Sequence, residues 1–220
     1  MIEPSAERVR AVREQLLQRK PGVFPVAIGP VEGAALRDWV VREGAQTTLE
    51  AGLAWAVGTL FVLDGLLTVG ASVRHVAADP WQFRGLQSHR TRFEGAGLAV
   101  LEEAGVRDLV EFHEEESQIV FPRLLSEGRE FDLVFLDANH RFEGVFVDLF
   151  YAGRLLRDGG IVFVDDVQLP GVRRAVDFFV ANLGWTVEDG GAEGAEHEWA
   201  IVRTGLRDAY LRPYFEFVEF

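Results

Sequence analysis

Hydrophobic positions along this chain switch between helical spacing and short unbroken apolar runs, and the switches mark its elements. Ala6, Val9, Val12 and Leu16 share one face of a helix over Pro4–Lys20, which Pro21 and Pro25 end. A second helix is expected from Val31 to about Arg42, closing near Gly44. From Thr47 onward strands and helices alternate. The apolar runs predict strands at Thr47–Ala51, Val73–Asp79, Leu109–His113, Phe131–Asp137 and Gly160–Val167. Helices are expected at Ala54–Leu67, Gly85–Ala104, Gln118–Glu127, Phe142–Leu156 and Val172–Leu183. Two later strands, Trp185–Glu188 and Glu198–Arg203, flank a Gly/Glu-rich turn.

Apolar strands alternating with helices predict an α/β fold: a doubly wound, mainly parallel sheet of seven strands, covered by helices on both faces. The pattern divides the chain into an N-terminal helical cap (1–45), a main domain (46–205) and an aromatic tail (206–220). With 220 residues, 48% of them hydrophobic, the main domain can bury a proper core. No apolar run reaches the roughly 18 residues of a membrane span. The charged, amphipathic start lacks the apolar centre of a secretory signal. The absence of cysteine excludes disulfides, thiolate zinc sites and cysteine nucleophiles. These features lead to the expectation of a cytoplasmic protein. A formal charge of −13, with no Lys/Arg-rich run, disfavours nucleic acid as partner and favours a small molecule.

In an open parallel sheet the ligand crevice lies beyond the carboxyl ends of the strands. Polar residues stand at those positions here: Glu50 and Gly52, Asp79, Asp137, Asp165 and Asp166. The loop Glu50-Ala51-Gly52-Leu53-Ala54-Trp55-Ala56 is rich in small residues that permit a sharp turn and close approach to a ligand. It is not the glycine fingerprint of dinucleotide enzymes, and its acid suits a cationic ligand better than a pyrophosphate. Asp79, followed by Pro80 and Trp81, fits either a ribose-binding carboxylate or an Asp-Pro turn. Neighbouring strands lie roughly 4.8 Å apart, so the ends of the fourth and fifth bring Asp137, Asp165 and Asp166 near one another. Such carboxylates repel unless protonated or bridged by a cation, and a sulfur-free oxygen set suits Mg²⁺ or Ca²⁺.

With those residues in view, the chain resembles class I S-adenosylmethionine-dependent methyltransferases, most closely the small catechol- and macrocin-type O-methyltransferases. The likeness runs from about Glu32-Gly33 to about Val172. It implies a Rossmann-like fold in which the Glu50/Gly52 loop cradles the methionine end of the cofactor and Asp79 holds its ribose. Leu53 and Trp81 join this set as cofactor contacts. Ser117 and Gln118 match a Ser-Gln pair that meets the adenine in the family, although Ser117 also suits a plain helix N-cap. Asp137, with the pair Asp165-Asp166, matches the family's Mg²⁺ ligands, and Asp137 belongs to the catalytic and cofactor-binding sets as well. His140 stands where relatives carry a lysine general base, and its unperturbed pKa of about 6.5 suits proton acceptance at neutral pH. The chain departs from the family at Ala56 and Gly58, which replace the usual second glycine and the following serine.

The resemblance implies methyl transfer to a hydroxyl of a small molecule, assisted by a divalent metal. Alternatives are a metal-independent version and a non-catalytic adenosyl-binding domain. A nicotinamide dehydrogenase lacks its fingerprint here, and no G-x-S-x-G elbow supports a hydrolase. His75, His89, His113 and His197 form no metal-binding spacing. The tail Tyr210–Phe220 alternates aromatic and acidic residues, so it is expected to pack on the domain or on a second subunit of a homodimer.

Overall fold

The computed structural model describes residues 3–19, 27–70, 73–83, 93–191, 198–205, 213 and 216–220. Seven strands form a mostly parallel sheet in the order β3-β2-β1-β4-β5-β7-β6. They are β1 (Thr47–Ala51), β2 (Arg74–Ala78), β3 (Val110–His113), β4 (Phe131–Leu136), β5 (Leu156–Val164), β6 (Thr186–Gly190) and β7 (Ala200–Arg203). The helices are α1 (Ala6–Arg19), α2 (Pro30–Arg42), α3 (Val57–Val69), α4 (Ala96–Glu103), α5 (Ser117–Ser126), α6 (Phe142–Leu155) and α7 (Pro170–Leu183). No helix among the described residues is long and apolar enough to cross a membrane. The chain groups into two compact units, Met1–Glu116 and Ser117–Phe220.

In the first unit β1, β2 and β3 run parallel, with Thr48 opposite His75 and Glu50 opposite Ala77. Val9, Val12 and Leu16 of α1 are buried, as their spacing predicts. Pro30 opens α2, where its missing N–H costs nothing, and the Glu32 carboxylate accepts the Gly29 N–H at 3.3 Å. A Cβ at Gly33 would run into the Phe61 ring, so this glycine lets α2 lie close on α3. The start of α3 falls three residues later than the hydrophobic pattern suggests. Ala54 and Ala56 adopt left-handed φ values of 45° and 62°, which holds the preceding segment out of the helix. The helix expected over Gly85–Ala104 is α4 at its C-terminal end, and 84–92 lie outside the described residues.

In the second unit β4 and β5 are parallel, whereas β7 runs antiparallel to both β5 and β6. Leu133, Val134, Ile161, Val162 and Phe163 have no exposed surface. Each such side chain contributes about 1.5–3 kcal/mol by leaving water. The fifth strand begins at Leu156, directly after α6, rather than at Gly160. The last two strands are shifted a little from expectation, and the turn at 192–197 lies outside the described residues. Part of the C-terminal tail is described, and it packs on α7 of its own chain. Asn182 bonds Val218 in both directions, through Nδ2 to the carbonyl at 2.9 Å and from the N–H to Oδ1 at 2.8 Å. Phe217 and Phe220 lie against Phe178.

Candidate active site

The first unit builds a loop. Glu50 is the penultimate residue of β1 and is buried. Its Oε2 accepts hydrogen bonds from Thr59 Oγ1 at 2.6 Å and His75 Nε2 at 2.7 Å. The other ring nitrogen, Nδ1, lies 2.8 Å from Thr48 Oγ1. Past Glu50 the chain turns at Gly52 (φ 99°), whose N–H donates to Ala78 O. The left-handed Ala54 and Ala56 follow, a conformation that costs about 1–2 kcal/mol for a residue with a Cβ. Alanine therefore keeps a glycine-type backbone at position 56, at a cost in stability. The Leu53 side chain is buried.

Asp79 follows β2 and ties this loop down. Its Oδ2 accepts from the Ala54 N–H at 2.7 Å, and its Oδ1 accepts from the Trp81 N–H at 2.7 Å. Gln82 donates through Nε2 to Ala54 O at 2.8 Å and to Asp79 Oδ2 at 3.4 Å. Both backbone groups of Ala54 are thereby held. A Cβ at Gly97 would sit 2.5 Å from Ala54 O, so glycine there lets α4 approach the loop. The Trp81 bond closes an Asx turn at Asp79. His75, Thr59 and Gln82 carried no expectation from the sequence. A signal for His75 was available: in parallel register it stands beside Thr48, two residues before Glu50 on the same face.

The second unit gathers ionisable groups. Asp137 follows β4, and Asp165 and Asp166 follow β5. The Asn139 Oδ1 accepts the Arg141 N–H at 2.9 Å, an Asx turn that shapes the loop carrying His140. A Cβ at Gly144 would strike the Asn139 side chain, so glycine makes room for that turn. His140 Nε2 lies 3.0 Å from Asp166 Oδ2 and 3.7 Å from Asp137 Oδ1. One ligating atom from each of Asp137, His140 and Asp166 falls within 4.8 Å of the others. Asp165 is not part of that group. Its Oδ1 accepts the Asp166 N–H at 2.6 Å, and its side chain is buried. The candidate ion-holding group among the described residues is therefore two carboxylates and an imidazole, with Asp165 near enough for its charge to act on Asp137. Successive residues leaving a strand point to opposite sides, and Asp166 turns further by adopting φ 57°. Gln168, also unforeseen, donates to Asp166 Oδ1 at 2.6 Å and accepts the Glu198 N–H at 2.8 Å.

The bonds from Asp137 and Asp166 raise His140 to about 10 against the cost of its burial. Burial raises Asp137, opposed by His140 and reinforced by the charges on Asp165 and Asp166. At neutral pH the imidazole is therefore charged and already holds the proton that a general base would have to accept. Ser117 is the first residue of α5 rather than its cap, and it is buried against Asp148. Burial pushes the Asp148 carboxyl up to about 7, with the Ser117 hydrogen bond acting the other way. Its Oδ1 has no partner among the described residues. Gln118 is half-buried beside Ser117.

Alternating strands and helices around a mostly parallel seven-stranded sheet define a Rossmann-like α/β domain. The family model described as a methyltransferase domain matches residues 49–167, more than half of the chain, and the chain belongs to that family. No curated protein matches it by sequence. Among solved structures it is similar to the O-methyltransferase from Bacillus cereus in complex with SAH, at 18% identity and TM-score 0.70, covering 88% of this chain and 90% of that one. It is also similar to the O-methyltransferase TomG from Streptomyces achromogenes, involved in tomaymycin synthesis and in complex with SAM. That match has 21% identity and TM-score 0.70, with 90% of each chain covered. At these identities the likeness is one of fold.

Proposed function

We propose that the chain moves the methyl group of S-adenosylmethionine (SAM) to a hydroxyl oxygen of a small molecule, with a divalent cation held by Asp137 and Asp166. The observation that carries this reading is the convergence of Asp137, His140 and Asp166 in a member of the methyltransferase-domain family. The names of the two structural neighbours, both O-methyltransferases, favour oxygen as the acceptor atom.

The donor set fits a hard or borderline cation: two carboxylate oxygens suit Mg²⁺ or Mn²⁺, and the imidazole nitrogen broadens the range. A cation there would lower the pKa of the acceptor hydroxyl and fix its orientation. In the transfer, the acceptor oxygen bonds to the methyl carbon as the carbon–sulfur bond breaks, and the hydroxyl proton leaves to a base. Holding the two reactants in line supplies several kcal/mol of the barrier reduction. His140 qualifies as that base only after losing the proton that Asp137 and Asp166 stabilise. In this reading Glu50 and Gly52 take the amino-acid end of SAM, and Asp79 and Trp81 the ribose side.

One observation favours a metal-independent version: the 3.0 Å His140–Asp166 pair balances charge without a cation. Chelation separates the two. Turnover of SAM to SAH on a panel of diols and catechols is expected to stop in EDTA and return with Mg²⁺ or Mn²⁺. Full turnover in EDTA would leave the metal-independent version. Because Asp137 and His140 are both raised, a cation must displace protons from the group at neutral pH. Its affinity is therefore expected to rise with pH between 6 and 9, by about tenfold per unit for each proton displaced. Calorimetric titration with Mn²⁺ at several pH values measures this slope.

A further inference from the structure

We propose that His75 is a positioning residue for the amino-acid end of the cofactor, acting through Glu50. The inference rests on the proposed role of Glu50 and goes beyond it. A histidine with 1% exposure in the middle of a sheet needs partners for both ring nitrogens, and this one has them. Thr48 Oγ1 lies 2.8 Å from Nδ1, and Nε2 donates to Glu50 Oε2 at 2.7 Å. Thr59 donates to the same oxygen at 2.6 Å.

Two donors on one carboxylate oxygen fix a side chain that otherwise turns about three bonds. Neither of them uses Oε1. The ring cannot tilt away, because Thr48 holds its far side and stands opposite His75 in the β1–β2 register. The result is a fixed, buried carboxylate two residues before the turn at Gly52. Such a group suits a cationic end, the α-ammonium of an amino acid. Orienting partners behind a ligand-binding side chain act in the same way at metal sites.

The test compares SAH with 5′-methylthioadenosine, which keeps the nucleoside and lacks the amino acid. Both are titrated by calorimetry into wild type, His75→Leu, His75→Gln, Thr48→Val and Glu50→Gln. A hydrogen bond to a charged group corresponds to a change of about tenfold or more in affinity. His75→Leu is expected to weaken SAH by that factor and leave methylthioadenosine within about twofold. His75→Gln, which places an amide N–H near the Nε2 position, is expected to recover most of the loss. Thr48→Val removes one hydroxyl from the pair, keeps the shape, and is expected to weaken SAH alone by a few-fold, so a His75→Leu chain that fails to fold does not stop the test. Equal losses for both ligands, or no loss in either variant, would overturn the proposal. If Glu50→Gln weakens SAH while the His75 and Thr48 variants do not, only the His75 role falls. If Glu50→Gln changes nothing, the reading of Glu50 falls with it.

Discussion

The Asp137→Ala variant is expected to lose methyl transfer by about 10²–10³-fold, the scale at which removing one oriented electrostatic group slows an enzyme. Asp137 leaves β4 directly into the loop that carries His140, and its carboxylate is one of two that face the ring. Removing it takes away an oxygen ligand and a cause of the raised His140 value in one step. The fold should not suffer. Burial raises the folded-state pKa of Asp137 above its unfolded value, so its ionised form is disfavoured in the folded chain. That penalty grows as pH rises above the unfolded value and levels off above the folded one. The variant is therefore expected to melt at or above the wild-type temperature at pH 8. A rate within a few-fold of wild type would remove Asp137 from the chemistry. A large drop in melting temperature would make it structural.

The second large effect is on stability, at Asp64 of α3. Its carboxylate is 2% exposed and meets Arg10 Nη1 at 2.7 Å and Arg13 Nη1 at 3.3 Å, which tie α1 to α3. Arg37 of α2 lies 4.0 Å away. Arg13 is itself buried, with its guanidinium 3.8 Å over the Phe61 ring, and burial lowers its pKa. Asp64→Ala leaves that charge without its partner in a site water barely reaches. Breaking a buried pair in this way costs about 3–5 kcal/mol. Asp64→Asn keeps an acceptor and is expected to cost less. Urea denaturation measures both, and a loss under about 1 kcal/mol for the alanine variant would mean that Asp64 is not what holds α1.

Much of this was legible in the chain because apolar period is a strong signal. β1 falls where its five residues predict, and the buried stripe of α1 is the one read from Val9, Val12 and Leu16. The positions after the strands were legible too, since parallel topology puts polar residues there. What the pattern could not carry is direction. Asp165 and Asp166 are adjacent letters, yet Asp165 is buried and bonded to the Asp166 N–H while Asp166, at a left-handed φ, meets His140. The signal for His75 lies in the pairing of β2 with β1, which sets it beside Thr48. Ala54 and Ala56 stand where the apolar pattern predicts the start of α3. Tertiary bonds from Asp79 and Gln82 to Ala54 help hold that segment in a turn.

Binding of a SAM-type ligand by this fold is measured by calorimetric titration of the wild-type chain with SAH. One molecule is expected to bind per chain with a micromolar dissociation constant. That corresponds to about 8 kcal/mol of binding free energy. The same ligand should raise the melting temperature by mass action. Absence of binding at millimolar SAH, with the protein folded and its melting temperature unmoved, would contradict the account.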